Sequence, residues 1–165
     1  MSGLTKEPKT RPLKLLLDTN VVIDFLAVRE PFYADARRIM LLGALKEAEL
    51  WLSSHQVNDV FSVASEGGRK SLGQSCQERI RSLRSFMRIC TVQEADIDAA
   101  LDLYWTDLED ACVCCCAQKI KADFIVTRDS KGFARSPIPP KPPDDLFSWL
   151  KEERGLVYEE VFLSR

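Results

Sequence analysis

Two aspartates stand where carboxylates could act together, each directly after a strand-like apolar run. Asp18 follows the apolar run 13–17, and Asp129 ends the segment 123–129, whose apolar centre is Phe-Ile-Val. Short apolar runs that end in a polar turn are typical of buried parallel strands. Ligands of open parallel sheets bind at the carboxyl ends of the strands. A sheet with these two strands side by side would therefore bring Asp18 and Asp129 to one crevice.

Two more aspartates are predicted near helix starts. Asp59 falls in the first turns of a helix predicted over 55–65, and Asp110 falls in the first turn of one predicted over 107–120. The second helix is apolar on nearly all sides after that turn, and we expect it to be buried. Carboxylates gathered at one edge repel each other unless a cation neutralises them. Ligation by oxygen atoms alone favours Mg²⁺ or Mn²⁺ over zinc.

The expected metal ligands are Asp18, Asp110 and Asp129, because two lie at strand ends and the third opens the buried helix. Bound cations of this kind orient a water, lower its pKa and stabilise the charge that builds on a phosphodiester under attack. His55 is the single histidine. This excludes an acid/base nuclease with two histidines, and no Ser-His-Asp set can be assembled from the sequence.

Composition sets the broad class of protein. The chain has 165 residues with 45% hydrophobic and 29% charged residues, which predicts one soluble globular domain. No apolar segment approaches the ~20 residues of a membrane span, and the amino end lacks the apolar core of a signal peptide. We expect a cytoplasmic protein without a membrane partner. The net charge of −2 means that polyanion binding must come from a local patch.

Cysteines are concentrated in the helix that we expect to be buried. Four of the six, Cys112, Cys114, Cys115 and Cys116, crowd into it. We interpret them as reduced thiols that serve as small core residues. A zinc site from Cys112 and Cys116 at helical spacing would need further paired Cys or His ligands, which the rest of the sequence does not offer.

Predicted helices and strands alternate along the chain. Helices are predicted over 21–26, 31–48, 55–65, 74–87, 94–104, 107–120 and from a cap at Asp144 or Asp145 to 153, and strands over 13–17, 50–54, 89–92 and within 123–129. This alternation predicts an α/β fold, a three-layer α/β/α sandwich around a mainly parallel sheet of four or five strands.

The remaining segments are predicted to flank one domain over 13–150. Residues 1–12 form a flexible lead-in, and 151–165 form a tail in which 157–163 is a strand or a partner-binding segment. The proline-rich stretch 136–143 is predicted to be an extended surface loop without regular hydrogen bonds.

A strip of basic residues is the predicted contact for an RNA backbone. Arg81, Arg84 and Arg88 lie on one strip of the helix predicted over 74–87, and Arg69 and Lys70 precede it. Such a strip binds RNA only if it lies beside the acidic crevice. The alternative interpretation is an ordinary solvated helix face.

Four motifs, in their order and spacing, resemble those of PIN domains over about residues 13 to 150. They are Leu-Leu-Asp-Thr-Asn-Val-Val-Ile-Asp over 16–24, Ser53-Ser54 followed by Asp59, Asp-Leu-Glu-Asp-Ala over 107–111, and Ile-Val-Thr-Arg-Asp over 125–129 followed by Gly132-Phe133. The resemblance implies the PIN α/β/α sandwich and RNA cleavage that depends on Mg²⁺ or Mn²⁺.

The resemblance also implies roles for individual residues and partners. The acidic quartet of the family maps onto Asp18, Asp59, Asp110 and Asp129, with Thr127, Asn20 and Asp107 as supporting residues. Many PIN proteins of this size are toxins of bacterial toxin-antitoxin pairs. They pair as homodimers and are silenced by a small antitoxin, so RNA, an antitoxin and a second copy are the implied partners.

One position departs from the family pattern. Asp59 stands where the family usually carries a glutamate, and Asn58 precedes it. The aspartate is shorter by one methylene, so its carboxylate could reach a metal only through a water. The rival interpretation is therefore a PIN-like module that binds RNA or a protein without cutting.

Two other enzyme classes fit the motifs less well. A strand that ends in Asp-Thr-Asn is similar to that of haloacid-dehalogenase phosphatases, but these need a second aspartate where Asn20 stands. A response-regulator receiver needs an acidic pair before the first helix and a lysine after a late strand. Lys131 is poorly placed for that role.

Overall fold

A five-stranded parallel sheet forms the centre of the computed structural model, which describes residues 11–158. Its strands are β1 Leu13–Leu17, β2 Ala48–Ser53, β3 Met87–Cys90, β4 Phe124–Val126 and β5 Pro140–Lys141, in the spatial order β3-β2-β1-β4-β5. The helices of the described part are α1 Thr19–Leu26, α2 Tyr33–Ala44, α3 Gln56–Ala64, α4 Lys70–Leu83, α5 Glu94–Asp102, α6 Leu108–Lys119 and α7 Pro143–Arg154.

Both faces of the sheet are covered by helices, as the sequence predicts. Leu15 and Leu17 of β1 join a buried cluster with residues of α1, α2, α3, α4 and α7. Leu16 points to the opposite face, where it packs with Val113 and Cys116 of α6. Because successive side chains of a strand alternate between faces, one leucine-rich strand supplies both cores. The predicted three-layer α/β/α fold is confirmed.

The two strands that end in aspartates are neighbours. Leu15 pairs with Phe124 and Leu17 pairs with Val126 in the parallel register of β1 and β4. The Asp18 amide extends this pairing by donating to the Val126 carbonyl at 2.9 Å. The polar turns that follow the two strands therefore start at the same height on the same edge of the sheet.

Several predicted boundaries around β2 and β3 were wrong. α2 ends at Ala44 rather than near 48, because the chain turns through Lys46 at φ 59° and Ala48 already pairs in β2. α4 runs over Lys70–Leu83, about four residues earlier than the predicted 74–87. Met87 therefore lies in β3, which runs over Met87–Cys90 rather than the predicted 89–92. Met87 shares the helical spacing of Leu83, but pairing with Leu50 in the sheet prevails.

The proline-rich stretch 136–143 was wrongly predicted to lack regular hydrogen bonds. The amide of Ile125 donates to the Pro139 carbonyl at 3.1 Å, and the amide of Thr127 donates to the Lys141 carbonyl at 3.0 Å. A proline lacks a donor but keeps its acceptor, so it is tolerated in an edge strand such as β5. α7 then begins at Pro143, earlier than the predicted cap at Asp144 or Asp145, since proline suits the first helical turn.

The carboxyl-terminal part of the described chain is short. α7 continues to Arg154, past the boundary predicted at 150, and ends at Gly155 with φ 64°. The strand predicted over 157–163 and the lead-in over 1–12 lie mostly outside the described residues. Within residues 11–158 there is no helix of the length and apolar character that a membrane crossing requires.

Candidate metal and active site

Asp18 is held at the end of β1 by two hydrogen bonds. Its Oδ1 accepts from the amide of Thr19 at 2.8 Å, and its Oδ2 accepts from the Thr127 hydroxyl at 2.8 Å. The residue is buried, and it caps α1. A buried carboxylate with both oxygens engaged has a fixed orientation.

Thr127 connects the ends of the two strands. Its hydroxyl donates to Asp18 and accepts from the Asp129 amide at 2.9 Å. The Oδ1 of Asp129 in turn accepts from the amide of Gly132 at 3.0 Å. One buried hydroxyl therefore sets the position of one aspartate side chain and of the backbone that carries the other.

Asp110 approaches Asp129 above Gly132. A Cβ built on Gly132 would lie 2.9 Å from Oδ2 of Asp110 and 2.7 Å from Oδ2 of Asp129. Both distances are too short for a side chain, so a larger residue at this position would displace one or both carboxylates. Asp107 supports the arrangement because its Oδ1 caps α6, accepting from the amides of Glu109 at 2.9 Å and of Asp110 at 3.2 Å.

An acidic cavity of about 380 Å³ opens where these elements meet. Its wall contains the predicted residues Asp18, Asn20, Asp59, Asp107, Asp110 and Asp129, together with Thr19, Ile23, Ser62, Val63 and Glu109. Asp59 lies in the first turn of α3 and is exposed to solvent. The structure thus brings together the four aspartates and two of the three supporting residues, while Thr127 lies beneath them.

Gln56 is a supporting residue that the sequence analysis missed. Its amide group donates to the Leu17 carbonyl at 3.0 Å and to the Thr19 hydroxyl at 3.1 Å, and its Oε1 accepts from the Ser53 amide at 2.9 Å. Gln56 is fully buried and joins the ends of β1 and β2. The Ser-x-x-Gln spacing at the predicted helix start was the signal, since it is the spacing of a capping box.

A buried ion pair fixes the turn that carries Asp129. Arg128 donates from Nε to Oδ2 of Asp24 at 2.8 Å and from Nη2 to Oδ1 at 3.2 Å, and its guanidinium lies 3.9 Å from the Phe32 ring centroid. Asp24 is only 1% exposed. The signal was an acid within the apolar run of α1, because a buried charge needs a partner.

Glu109 also belongs to the cavity, although the sequence analysis did not count it among the site residues. Its Oε1 accepts from the Thr19 hydroxyl at 3.1 Å. Burial raises its pKa, and nearby Asp59, Asp18 and Asp107 add to the effect.

Asp110 and Asp18 are, like Glu109, more basic than isolated carboxylates, because their pKa values are raised. Burial is the largest cause that raises the pKa of Asp110 to about 7, and repulsion from Asp107, Asp18 and Asp129 adds to it. Burial also raises the pKa of Asp18, against the hydrogen bonds from Thr127 and Thr19. The Asp110 carboxyl therefore binds a proton near neutral pH when no cation is present.

The basic residues predicted for RNA contact do not form one strip. Arg81 and Arg84 lie beside a groove between α3 and α4. Arg69 forms an ion pair with Glu66 at 2.9 Å, and Lys70 is the first residue of α4. Arg88 was wrongly placed with the helix: it belongs to β3 because α4 ends at Leu83, and it lies 3.6 Å from Glu49. None of the five lines the acidic cavity.

The donor set of the cavity fits a hydrated Mg²⁺ or Mn²⁺ better than a fully enclosed ion. Within residues 11–158, no three His, Cys, Asp or Glu side chains already stand close enough to hold a metal ion. Mg²⁺ keeps several waters and is bound through one or two carboxylates plus substrate phosphates. Asp110 and Asp129, which converge above Gly132, supply such a pair of oxygen ligands.

The fold and the site define an α/β/α protein with an acidic cavity at the carboxyl edge of its parallel sheet. The family model of the PIN domain matches residues 14–131. The chain therefore belongs to the PIN domain family, whose members are generally nucleases. No curated protein matches the chain at a significant level.

Solved structures of similar fold support the assignment. A chain of a toxin-antitoxin complex from Klebsiella pneumoniae is 24% identical with a TM-score of 0.57, and the match covers 78% of this chain and 97% of that one. A chain of FitAB bound to an IR36 DNA fragment is 16% identical with a TM-score of 0.55, over 78% and 94% of the two chains. Both likenesses show the fold.

We expect Asp110→Asn to make the metal-free protein more stable at neutral pH. The folded-state pKa of about 7 lies above the ordinary 3.8, so the folded protein holds the extra proton and the stability from this group is lost as pH rises between these values. Urea unfolding with chelator, over that pH range, should show a smaller decline for the variant. Asp98→Asn, on the exposed part of α5, is the control. Identical pH profiles of Asp110→Asn and the parent would contradict this assignment.

We also expect Asp59→Glu to bind Mn²⁺ more tightly. Asp59 lines the cavity from an exposed position on α3, so the added methylene lets the carboxylate reach further without a core rearrangement. Titration calorimetry with Mn²⁺ compares the variant with the parent, and Glu66→Asp outside the cavity controls for general surface effects. Unchanged affinity would mean that residue 59 does not face the metal.

Proposed function

We propose that this PIN domain is a ribonuclease that hydrolyses RNA phosphodiesters with Mg²⁺ or Mn²⁺. The observation that carries the proposal is that Asp18, Asp110 and Asp129 line one cavity at the carboxyl edge of the sheet. Two independent strand ends and one helix start bring carboxylates to one cavity, although their repulsion costs stability. Such an arrangement is expected where a cation binds.

The roles of the residues follow from their contacts. Asp110 and Asp129 would hold the cation together with Asp18, and the cation would supply charge neutralisation and an activated water. Thr127 fixes the orientation of Asp18 and the backbone of Asp129, and Gln56 holds the ends of β1 and β2 together. Because these groups are already oriented, little reorganisation is needed when substrate binds.

A second part of the proposal is that the chain acts as the toxin of a bacterial toxin-antitoxin pair in the cytoplasm. One of the structures with this fold comes from a toxin-antitoxin complex. A groove between α3 and α4 could take the antitoxin: its floor is apolar, with Val57, Phe61 and Ile80, and its rim carries Arg81 and Arg84. These features suit an amphipathic helix with acidic residues. Co-purification with the product of a neighbouring short reading frame would test this partner.

Homodimer formation is part of the same proposal. Its support is the resemblance to toxin-type PIN domains. Light scattering of the purified chain tests it, because a dimer has twice the mass of the 18.7 kDa monomer. A monomer at all concentrations would contradict it.

The rival function is a PIN domain that binds RNA or a protein without cutting it. The observation that favours it is the spread of the carboxylates, of which no three within residues 11–158 are already close enough to share an ion. Asp59, one methylene shorter than the family glutamate, adds to that case. Divalent-metal binding and turnover separate the two functions.

We expect the purified chain to cleave a mixed RNA substrate only with Mg²⁺ or Mn²⁺, and Asp18→Asn to reduce the rate ~10² to 10³-fold. Loss of one positioned electrostatic contact typically costs this much. The variant removes one of several repelling charges, so it should unfold at a temperature close to that of the parent. Turnover is measured with Mn²⁺ and with chelator, alongside a thermal melt.

Asp98→Asn is the matched control, because it removes an aspartate from the exposed face of α5 and should keep full activity. Cleavage that survives both chelator and Asp18→Asn would contradict the mechanism. Absence of cleavage, with no effect of Mn²⁺ on the melt of the parent, would favour the rival function.

A further inference from the structure

The acidic cavity has no positive charge of its own in its wall. Among residues 11–158, no lysine or arginine lines it. A bound cation neutralises one phosphate, but the flanking nucleotides of a substrate bring further negative charges toward six carboxylates. The substrate therefore needs a separate surface next to the cavity that attracts its backbone and bases.

Two segments that form one side of the cavity also pack on each other. The α5–α6 connection leads into Asp107 and Asp110, and the turn after β4 carries Asp129 and Gly132. Trp105 of the connection packs edge-on against Phe133 of the turn, with 6.2 Å between ring centroids. The Arg135 guanidinium also donates to the Leu103 carbonyl at 3.2 Å.

The joint surface of these segments exposes an aromatic ring and two cations. Tyr104 is 86% exposed, the most exposed of the large hydrophobic residues in the described chain. Lys131 and Arg135 are exposed as well, and neither forms an ion pair within residues 11–158. We call the surface formed by Tyr104, Lys131 and Arg135 the Tyr104 surface.

We propose that the Tyr104 surface binds single-stranded RNA beside the scissile phosphate. The Tyr104 ring stacks on an unpaired base, and Lys131 and Arg135 contact flanking phosphates. An exposed ring beside unpaired cations is the combination that single-strand binders use, since every base offers a face for stacking. Bases in a duplex are already stacked, so a duplex gains only the phosphate contacts. The inference rests on the proposed ribonuclease function and adds the surface of this chain that binds the nucleotides next to the cleaved bond.

A second copy of the chain is the alternative occupant of this surface. Leu101 and Leu108, at 52% and 45% exposure, would extend an apolar contact around Tyr104. A symmetric interface here would also cover Lys131 and Arg135 on each copy, although neither has an ionic partner within residues 11–158. Removing unpaired charges from water costs free energy, so the charge pattern favours a polyanion.

The test measures RNA binding separately from cleavage. The protein is the full chain with Asp18→Asn in the presence of Mg²⁺, and the probe is a short labelled single-stranded RNA of mixed sequence, followed by fluorescence anisotropy. Tyr104→Ala should weaken binding about 5- to 100-fold, the range for loss of one stacked base. Tyr104→Phe keeps the ring and should bind like its parent.

Charge variants test the phosphate contacts. Lys131→Gln and Arg135→Gln should each flatten the slope of log affinity against log salt by about 0.7, the value for one phosphate contact on a single strand. Lys151→Gln, on the exposed side of α7, is the matched control and should leave the slope unchanged. The same RNA annealed to its complement should bind more weakly and respond little to Tyr104→Ala.

Several outcomes would overturn the inference: no measurable RNA binding, equal affinity of Tyr104→Ala and its parent, or a slope that changes with Lys151→Gln and not with Arg135→Gln. A change in oligomeric mass with Tyr104→Ala at unchanged RNA affinity would assign the surface to a second copy. Failure of the proposed function would give a different result. If RNA binding depends on Tyr104 but the chain with Asp18 unchanged cleaves no RNA, the Tyr104 surface is supported and the ribonuclease activity is contradicted.

Discussion

Repulsion among carboxylates at one edge of the sheet is the constraint on which the rest of the site depends. The protein limits its cost by giving most of these acids a donor: the Thr127 hydroxyl and the Thr19 amide for Asp18, the Gly132 amide for Asp129, and two amides of α6 for Asp107. For Asp110, burial and repulsion from the neighbouring acids raise the pKa to about 7. The remaining repulsion is an electrostatic strain that a divalent cation would relieve.

The architecture of the sheet produces this concentration of charge. Parallel strands end at the same edge, and β1 lies beside β4, so the turns after Leu17 and Val126 meet. Inside the sheet the alternation of Leu15, Leu16 and Leu17 builds two apolar cores. Polar contacts link the segments at this edge: Gln56 bonds the end of β1, and Arg128, in the turn after β4, pairs with Asp24 of α1.

Local signals in the sequence were sufficient to predict β1 and β4, because an apolar run followed by Asp-Thr-Asn or Thr-Arg-Asp marks a buried strand and its polar end. They were insufficient where tertiary contacts decide. Met87 has both helical and strand spacing, and only pairing with Leu50 places it in β3. The edge strand β5 forms because its backbone carbonyls accept hydrogen bonds from β4. Arg128, the partner of Asp24, lies 104 residues further along the chain. The basic strip failed for the same reason, since it assumed a helix that continues past Leu83.

The central claim is that the cavity of Asp18, Asp110 and Asp129 holds a divalent cation. A crystal structure of the full chain grown with Mn²⁺, with data collected at a wavelength where manganese scatters anomalously, tests it most directly. We expect an anomalous peak in the cavity, next to the carboxylates of Asp110 and Asp129. This peak should be absent from crystals of Asp110→Asn. A cavity without a peak in crystals that contain Mn²⁺, or a peak only at acids outside the cavity, would contradict it.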